Sequence, residues 1–212
     1  MPARAGRRGA FVSTLIDIET LAWDKQNGLL PIIVQDATTL RVLMLGYMNK
    51  DALAATLASG RVTFFSRSKQ RLWMKGETSG HVLDVVSIAA DCDADTLLVQ
   101  AHPHGATCHL ERASCFADAP ADDLMALDAL IAQRERERPA GSYTTQLLES
   151  GIRRIAQKVG EEGVETALAA VAQDDVALLG EAADLLYHLT VLLRARGLSL
   201  QDAKQILATR RG

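Results

Sequence analysis

Three carboxylates stand at alternate positions in Asp91-Cys92-Asp93-Ala94-Asp95. In an extended strand, Asp91, Asp93 and Asp95 would share one face, spaced about 6.5–7 Å apart. Carboxylates so close repel unless a cation or water separates them. A hard, oxygen-seeking ion such as Mg²⁺ suits them; a solvated acidic turn is the alternative. Cys92 would point to the opposite face, and Cys108 and Cys115 follow with no Cys-x-x-Cys pair. That spacing excludes a standard zinc ribbon or finger. Free cysteines are commonly inert packing, yet each of these adjoins polar residues. Three thiolates plus water compose a Zn²⁺ site with one open position, which brings the bound water's pKa to about 7 and supplies hydroxide at neutral pH.

Two further groups of residues bear on nucleotide chemistry. Arg67-Ser68-Lys69-Gln70-Arg71, then Trp73, then Lys75-Gly76-Glu77-Thr78-Ser79-Gly80 join a basic cluster to a hydroxyl-rich turn. Such a segment can cradle phosphate, with Trp73 against a base; a solvated loop and a packed Trp are the plain alternatives. Later, Glu161, Glu162 and Glu165 fall in a single arc of a helix, and Glu181 and Asp184 stand three residues apart on another. Carboxylates on apolar helical surfaces are costly unless paired or metal-bound. Five of them can hold Mg²⁺ against a triphosphate and orient a water. Lys158, one turn before Glu162, is a candidate phosphate contact, as are Arg153 and Arg154; a simple i, i+4 ion pair is the alternative for the lysine.

The elements that must position these groups divide the 212-residue chain in two. Val, Ile and Thr number 22 in residues 1–118 and 14 in residues 119–212, while Ala and Leu number 30 and 33. Strand formers thus concentrate early and helix formers late. The seam falls near Asp118-Ala119-Pro120-Ala121-Asp122. The first part reads as a hairpin of 30–35 and 40–45, a helix from an Asn49 cap to Ser59, and strands over 61–66, 81–90 and 96–101. The second reads as helices over 122–138, 142–159 extending to 172, 174–194 and 199–210, with caps at Ser142 and Asp174. The fold class is therefore α+β, a β-rich domain over 1–118 followed by an all-α helical bundle over 119–212.

The stretch from Arg71 to Gly80, with Asp91–Asp95, Cys108-His109 and Ser114-Cys115-Phe116, resembles the phosphoribosyl-AMP cyclohydrolases of histidine biosynthesis. The resemblance implies a homodimer with active sites at the subunit interface. It also implies Zn²⁺ held by Cys92 of one subunit with Cys108 and Cys115 of the other, and Mg²⁺ on Asp91, Asp93 and Asp95. Arg67, Arg71, Trp73, Lys75, Glu77, Thr78, Ser79 and Gly80 would bind substrate, and His109, next to a zinc ligand, would transfer a proton. The later run from Ser142 through Lys158–Glu165 to Glu181–Leu189 is similar to the MazG-like phosphoribosyl-ATP pyrophosphohydrolases. It implies Mg²⁺ on Glu161, Glu162, Glu165, Glu181 and Asp184, catalysis by Glu162 and Glu165, and Lys158 on phosphate. Gly163 departs from the alanine common in that family.

Together these imply a bifunctional enzyme whose helical domain makes phosphoribosyl-AMP from phosphoribosyl-ATP and whose β-rich domain then opens the adenine ring. A zinc-stapled nucleic-acid module would predict a basic face, against the 12 basic and 12 acidic residues of 1–118. A nucleotide hydrolase fused to an inactive β domain is the closer rival. A net charge of −3 disfavours nucleic acid, and no run of 18 apolar residues suggests a membrane span. Met1–Ala10 is basic but lacks a signal-length apolar stretch, so it reads as a frayed tail on a cytoplasmic protein with reduced cysteines.

Overall fold

The computed structural model describes residues 16–210; the tail of 1–10 lies outside them. The chain divides into two compact units between Ala121 and Asp122.

In the first unit, β1 (Leu30–Asp36) is the organising strand. It pairs antiparallel with β2 (Val42–Met48) and parallel with β6 (Leu97–Pro103), which pairs antiparallel with β5 (Leu83–Ala90). The order β2-β1-β6-β5 makes one mixed four-stranded sheet. Alternate residues Leu30, Ile32 and Val34 of β1 and Leu97, Val99 and Ala101 of β6 are fully buried, as strand periodicity requires. Between β2 and β5 run α1 (Lys50–Ser59) and a separate hairpin of β3 (Thr63–Ser66) and β4 (Arg71–Met74). The Asn49 side chain accepts from Ala52 N–H, and Gly60 closes α1 at φ 69°. β4 falls inside the segment read from sequence as part of a cradle loop.

The second unit is helical, with α2 (Asp123–Glu137), α3 (Tyr143–Glu149), α4 (Ile152–Ala172), α5 (Asp175–Ala195) and α6 (Leu200–Thr209). Asp122, Ser142, Asp174 and Ser199 each cap the helix that follows. The single helix expected over 142–172 is two: Ser150 ends α3, and Gly151 at φ 85° restarts the chain as α4. A left-handed residue cannot continue an α-helix, and glycine adopts it without steric cost. The fully buried apolar cluster is small, Ile131, Leu147, Ile155 and Val191. Asp128 joins it as a buried ion, clamped by both Arg194 Nε at 2.8 Å and Nη2. By length and composition α5 would suffice to cross a membrane, but it carries Glu181 and Asp184 mid-helix and packs along α4.

Candidate functional site

A cavity of about 410 Å³ opens in the sheet unit beside β4. The loop after β4 supplies Lys75, Glu77, Thr78 and Ser79 to its lining, and the loop after β6 supplies Cys108, His109 and Cys115. Gly76 makes the first loop possible: at φ 83°, a Cβ there would come within 2.4 Å of the His81 carbonyl carbon. The second loop is pinned to β2, where Ser114 Oγ donates to Val42 O at 2.7 Å and Cys115 N–H to Leu43 O at 2.8 Å.

The charges inside this cavity pull on two thiols. The Leu110 N–H, helped by Arg112 whose Nη2 lies 3.9 Å from Sγ, holds the Cys108 thiol below its ordinary range. Burial, and then Cys108 itself, pushes Cys115 up. The two thiols titrate as a pair, and a second thiolate beside the first is costly without a cation. His109 Nδ1 stands 3.9 Å from Cys108 Sγ. Lys75 is buried, its Nζ donating to His81 O at 3.3 Å, and burial lowers its affinity for a proton against the attraction of both cysteines.

Trp73 stacks on Phe64 with centroids 5.7 Å apart, so one of its faces is already taken. It also lines an adjoining cavity of about 300 Å³ with Ser66, Lys69, Arg71, Glu77 and Thr78. Arg71 Nη2 donates to Glu77 Oε1 at 2.6 Å, which raises Arg71 and lowers Glu77. Arg67 sits over the Tyr47 ring at 3.8 Å and lines neither of these cavities, nor does Gly80.

Residues Asp91–Asp95 are a turn between β5 and β6, not a strand. Asp91 Oδ1 accepts from Asp95 N–H at 3.0 Å and Thr96 N–H at 3.1 Å, and Ala94 takes φ 60°. That side-chain cap overrides the alternating pattern, as Asp does in turns. The turn still gathers Asp91, Asp93 and Asp95, each offering one oxygen within 4.8 Å of the others. Lys25, which sequence reasoning did not single out, sits on them: Nζ is 2.7 Å from Asp93 Oδ2 and 3.7 Å from Asp95 Oδ2. Cys92 is exposed on this turn and does not line the cavity of Cys108 and Cys115.

In the helical unit, Glu162 and Glu165 of α4 and Glu181 of α5 offer oxygens within 4.8 Å of one another. Glu161 and Asp184 stand outside that set. Glu161 is instead held by Gln157 at 2.7 Å, Lys158 at 3.1 Å and Arg154 at 3.5 Å. Glu162 is buried, and the hydrogen bond from Lys158 Nζ at 2.6 Å draws its carboxyl below the usual range. The same contact raises Lys158. Burial, then Glu162 and Glu181, push Glu165 up. Glu162 ionises readily beside Lys158, while Glu165, set against two other carboxylates, resists.

Sequence reasoning also passed over His188 and Tyr143. His188 is buried on α5; its Nδ1 lies 2.9 Å from Asp184 O and 3.6 Å from Glu162 Oε1, and its Nε2 lies 3.1 Å from Tyr143 OH. A carbonyl only accepts, so Nδ1 carries the proton, and in the neutral ring Nε2 accepts from the tyrosine. A buried histidine amid Leu185, Leu186 and Leu189 was the available signal. Arg154 and Lys158 line a cavity of about 170 Å³ with Tyr143 and Ser150, which Arg153 does not reach.

Comparison with known proteins gives two family matches in order. Residues 44–117 match phosphoribosyl-AMP cyclohydrolase and residues 124–211 match phosphoribosyl-ATP pyrophosphohydrolase. The histidine biosynthesis bifunctional protein HisIE of Xanthomonas axonopodis is 72% identical over 199 residues, 94% of this chain and 97% of that one. Those of Salmonella typhimurium and Escherichia coli are 60% and 58% identical, covering 85% and 90% of this chain and 90% and 95% of theirs.

Proposed function

The chain belongs to the bifunctional histidine-biosynthesis family that joins phosphoribosyl-AMP cyclohydrolase to phosphoribosyl-ATP pyrophosphohydrolase, and we propose which of its residues carry each reaction. The helical unit hydrolyses phosphoribosyl-ATP to phosphoribosyl-AMP and pyrophosphate, and the sheet unit opens the adenine ring of phosphoribosyl-AMP between N1 and C6.

In the sheet unit, the reading rests on one observation: two thiols, one drawn toward thiolate, line a single cavity with a buried lysine. Soft donors with one acidified member fit Zn²⁺. Zn²⁺, when bound, acidifies a water and so supplies a nucleophile at neutral pH. Cys108 and Cys115 would hold it. Cys92 would complete the set from a second copy, a reading supported by its place on a different turn, outside their cavity. His109 would move the proton that the leaving N1 requires. Trp73 would meet the adenine on its free face. Lys75, Glu77, Thr78 and Ser79 would orient the nucleotide, and Arg71 would approach phosphate, with Arg67 and Gly80 shaping the loops around it.

In the helical unit, hard carboxylate donors fit Mg²⁺. Glu162, Glu165 and Glu181 would form the inner set, with Glu161 and Asp184 joining from the same helix faces. Mg²⁺ held there would neutralise triphosphate charge. Glu162, kept ionised by Lys158, would orient the attacking water at the α–β linkage, and the Glu165 carboxylate, whose proton affinity is raised, would accept its proton. Lys158 would exchange a carboxylate for a phosphate oxygen when substrate arrives. Among the large apolar side chains of α4 and α5, Val164, Leu168, Val171, Val176 and Leu179 are more than half exposed. Such a stripe supports a homodimer through this unit also.

Subunit complementation tests the assignment. Cys92→Ala and Cys108→Ala, each made in the full chain, should lose ring opening measured by ultraviolet absorbance and keep pyrophosphate release. Mixed after reversible unfolding, they should recover about a quarter of the wild-type rate, because half the dimers are mixed and one of two sites in each is intact. No recovery, with both variants folded and dimeric, refutes a shared zinc site. Glu162→Gln should do the reverse, keeping ring opening and losing pyrophosphate release.

A further inference from the structure

Lys25 reaches Asp91–Asp95 from a segment far away in sequence, and its approach is fixed by packing. It lies in a 3₁₀ turn, Trp23–Gln26, whose Trp23 is buried in the sheet-unit core and donates Nε1–H to Ile18 O at 2.7 Å. Ala22 N–H donates to Ala94 O at 2.8 Å, which ties this segment directly to the acidic turn. From that anchor, Nζ contacts Asp93 Oδ2, Asp95 Oδ2 and, at 3.3 Å, Asp93 O. Asp93 and Asp95 are two of the three carboxylates whose oxygens lie within 4.8 Å of one another. Asp91 Oδ1 is committed to two backbone N–H groups, leaving Oδ2 as its free donor.

We propose that Lys25 is a tethered competitor for the divalent ion at Asp91, Asp93 and Asp95: its ammonium holds the turn in shape without metal and must withdraw for Mg²⁺ to bind. This rests on the reading of that turn as an Mg²⁺ site. An ammonium and Mg²⁺ cannot share Asp93 Oδ2, because like charges a few ångströms apart repel. The lysine side chain is half exposed and the pair sits in water, so its withdrawal is feasible and the competition modest. Lys25 thereby sets the Mg²⁺ concentration at which the site fills, and it keeps three carboxylates from repelling one another below that concentration.

The test is Mg²⁺ binding by calorimetry on the full chain carrying Glu165→Gln and Glu181→Gln, which removes most of the helical-unit site. In that background Lys25→Met should tighten Mg²⁺ binding about two- to fivefold, the reach of an exposed ion pair. It should also lower the melting temperature in chelator and enlarge the rise produced by Mg²⁺. Lys25→Arg, which keeps the charge, should stay near the parent on both measures. Unchanged or weaker binding in Lys25→Met, with binding to the parent intact, overturns the role of Lys25. No binding in either protein overturns the Mg²⁺ site itself, and the competition with it.

Discussion

Arg194→Met should destabilise the helical unit far more than a surface charge change would. Asp128 is 2% exposed, and Arg194 grips it with two nitrogens, one at 2.8 Å. Once the guanidinium is gone, the one partner left to the carboxylate among the described residues is Leu200 N–H, at 3.4 Å. Removing one member of a buried pair leaves an uncompensated charge, at a cost of about 3–5 kcal/mol. For a unit of about 90 residues, each kcal/mol lowers Tm by about 4–8 °C, so the fall should be at least about 12 °C. The measurement is differential scanning calorimetry of the full chain, with pyrophosphate release followed against temperature. Ring opening at 25 °C should be unaffected. Asp128→Leu combined with Arg194→Met should recover most of the loss, since an apolar pair of similar volume removes the stranded charge. A Tm fall below about 3 °C for Arg194→Met would show that water reaches Asp128 and that the burial argument fails.

Two further outcomes follow from the carboxylates of α4 and α5. Glu165 has a raised pKa in the fold, so the folded state prefers its protonated form; that contribution is present at low pH and is lost as pH rises above the ordinary carboxyl range. Glu165→Gln should therefore raise Tm in chelator at pH 7–8 and flatten its dependence on pH, while losing the Mg²⁺-dependent rise and pyrophosphate release; a lower Tm in chelator would contradict the sign. His188→Asn should cut pyrophosphate release about 10- to 100-fold, the usual effect of removing a group that orients a metal ligand, and Tyr143→Phe should cost less. Steady-state assays of both activities decide this: equal losses in ring opening, or none in either, would remove His188 from the site.

Local signals in the sequence located most elements, and tertiary ones did not show. Asn49, Asp122, Ser142, Asp174 and Ser199 cap helices because each side chain meets an N–H within three residues, a bond visible in sequence. The alternation of β1 and β6 is likewise local. β4 is short and holds two exposed residues, so its strand identity comes from the partner, with Phe64 opposite Trp73. Period-two spacing of the carboxylates leaves strand and turn open at Asp91–Asp95, and the two backbone N–H groups that Asp91 Oδ1 accepts decide for the turn. The turn brings the three carboxylates within 4.8 Å of one another, closer than the spacing of about 6.5–7 Å in a strand would allow. Lys25 had no signal at all. It is 66 residues before Asp91, and only the packing of Trp23 brings it there.

The helical unit shows why residue type said more about its function than about its stability. Four buried apolar side chains form its closed cluster, while long apolar residues line the outer faces of α4 and α5. A small domain buries a low fraction of its surface and is marginal alone. The same two helices carry Glu162, Glu165 and Glu181, whose mutual repulsion weakens the metal-free fold further. Stability of the metal-free fold and the catalytic role proposed for these carboxylates would thus make opposite demands on one helix pair. A second copy covering Val164, Leu168, Val171, Val176 and Leu179 would add apolar burial, and Mg²⁺ would cancel the repulsion of the carboxylates. Both additions come from outside the chain, so the fold would be firmest in the state that is also competent to hydrolyse substrate.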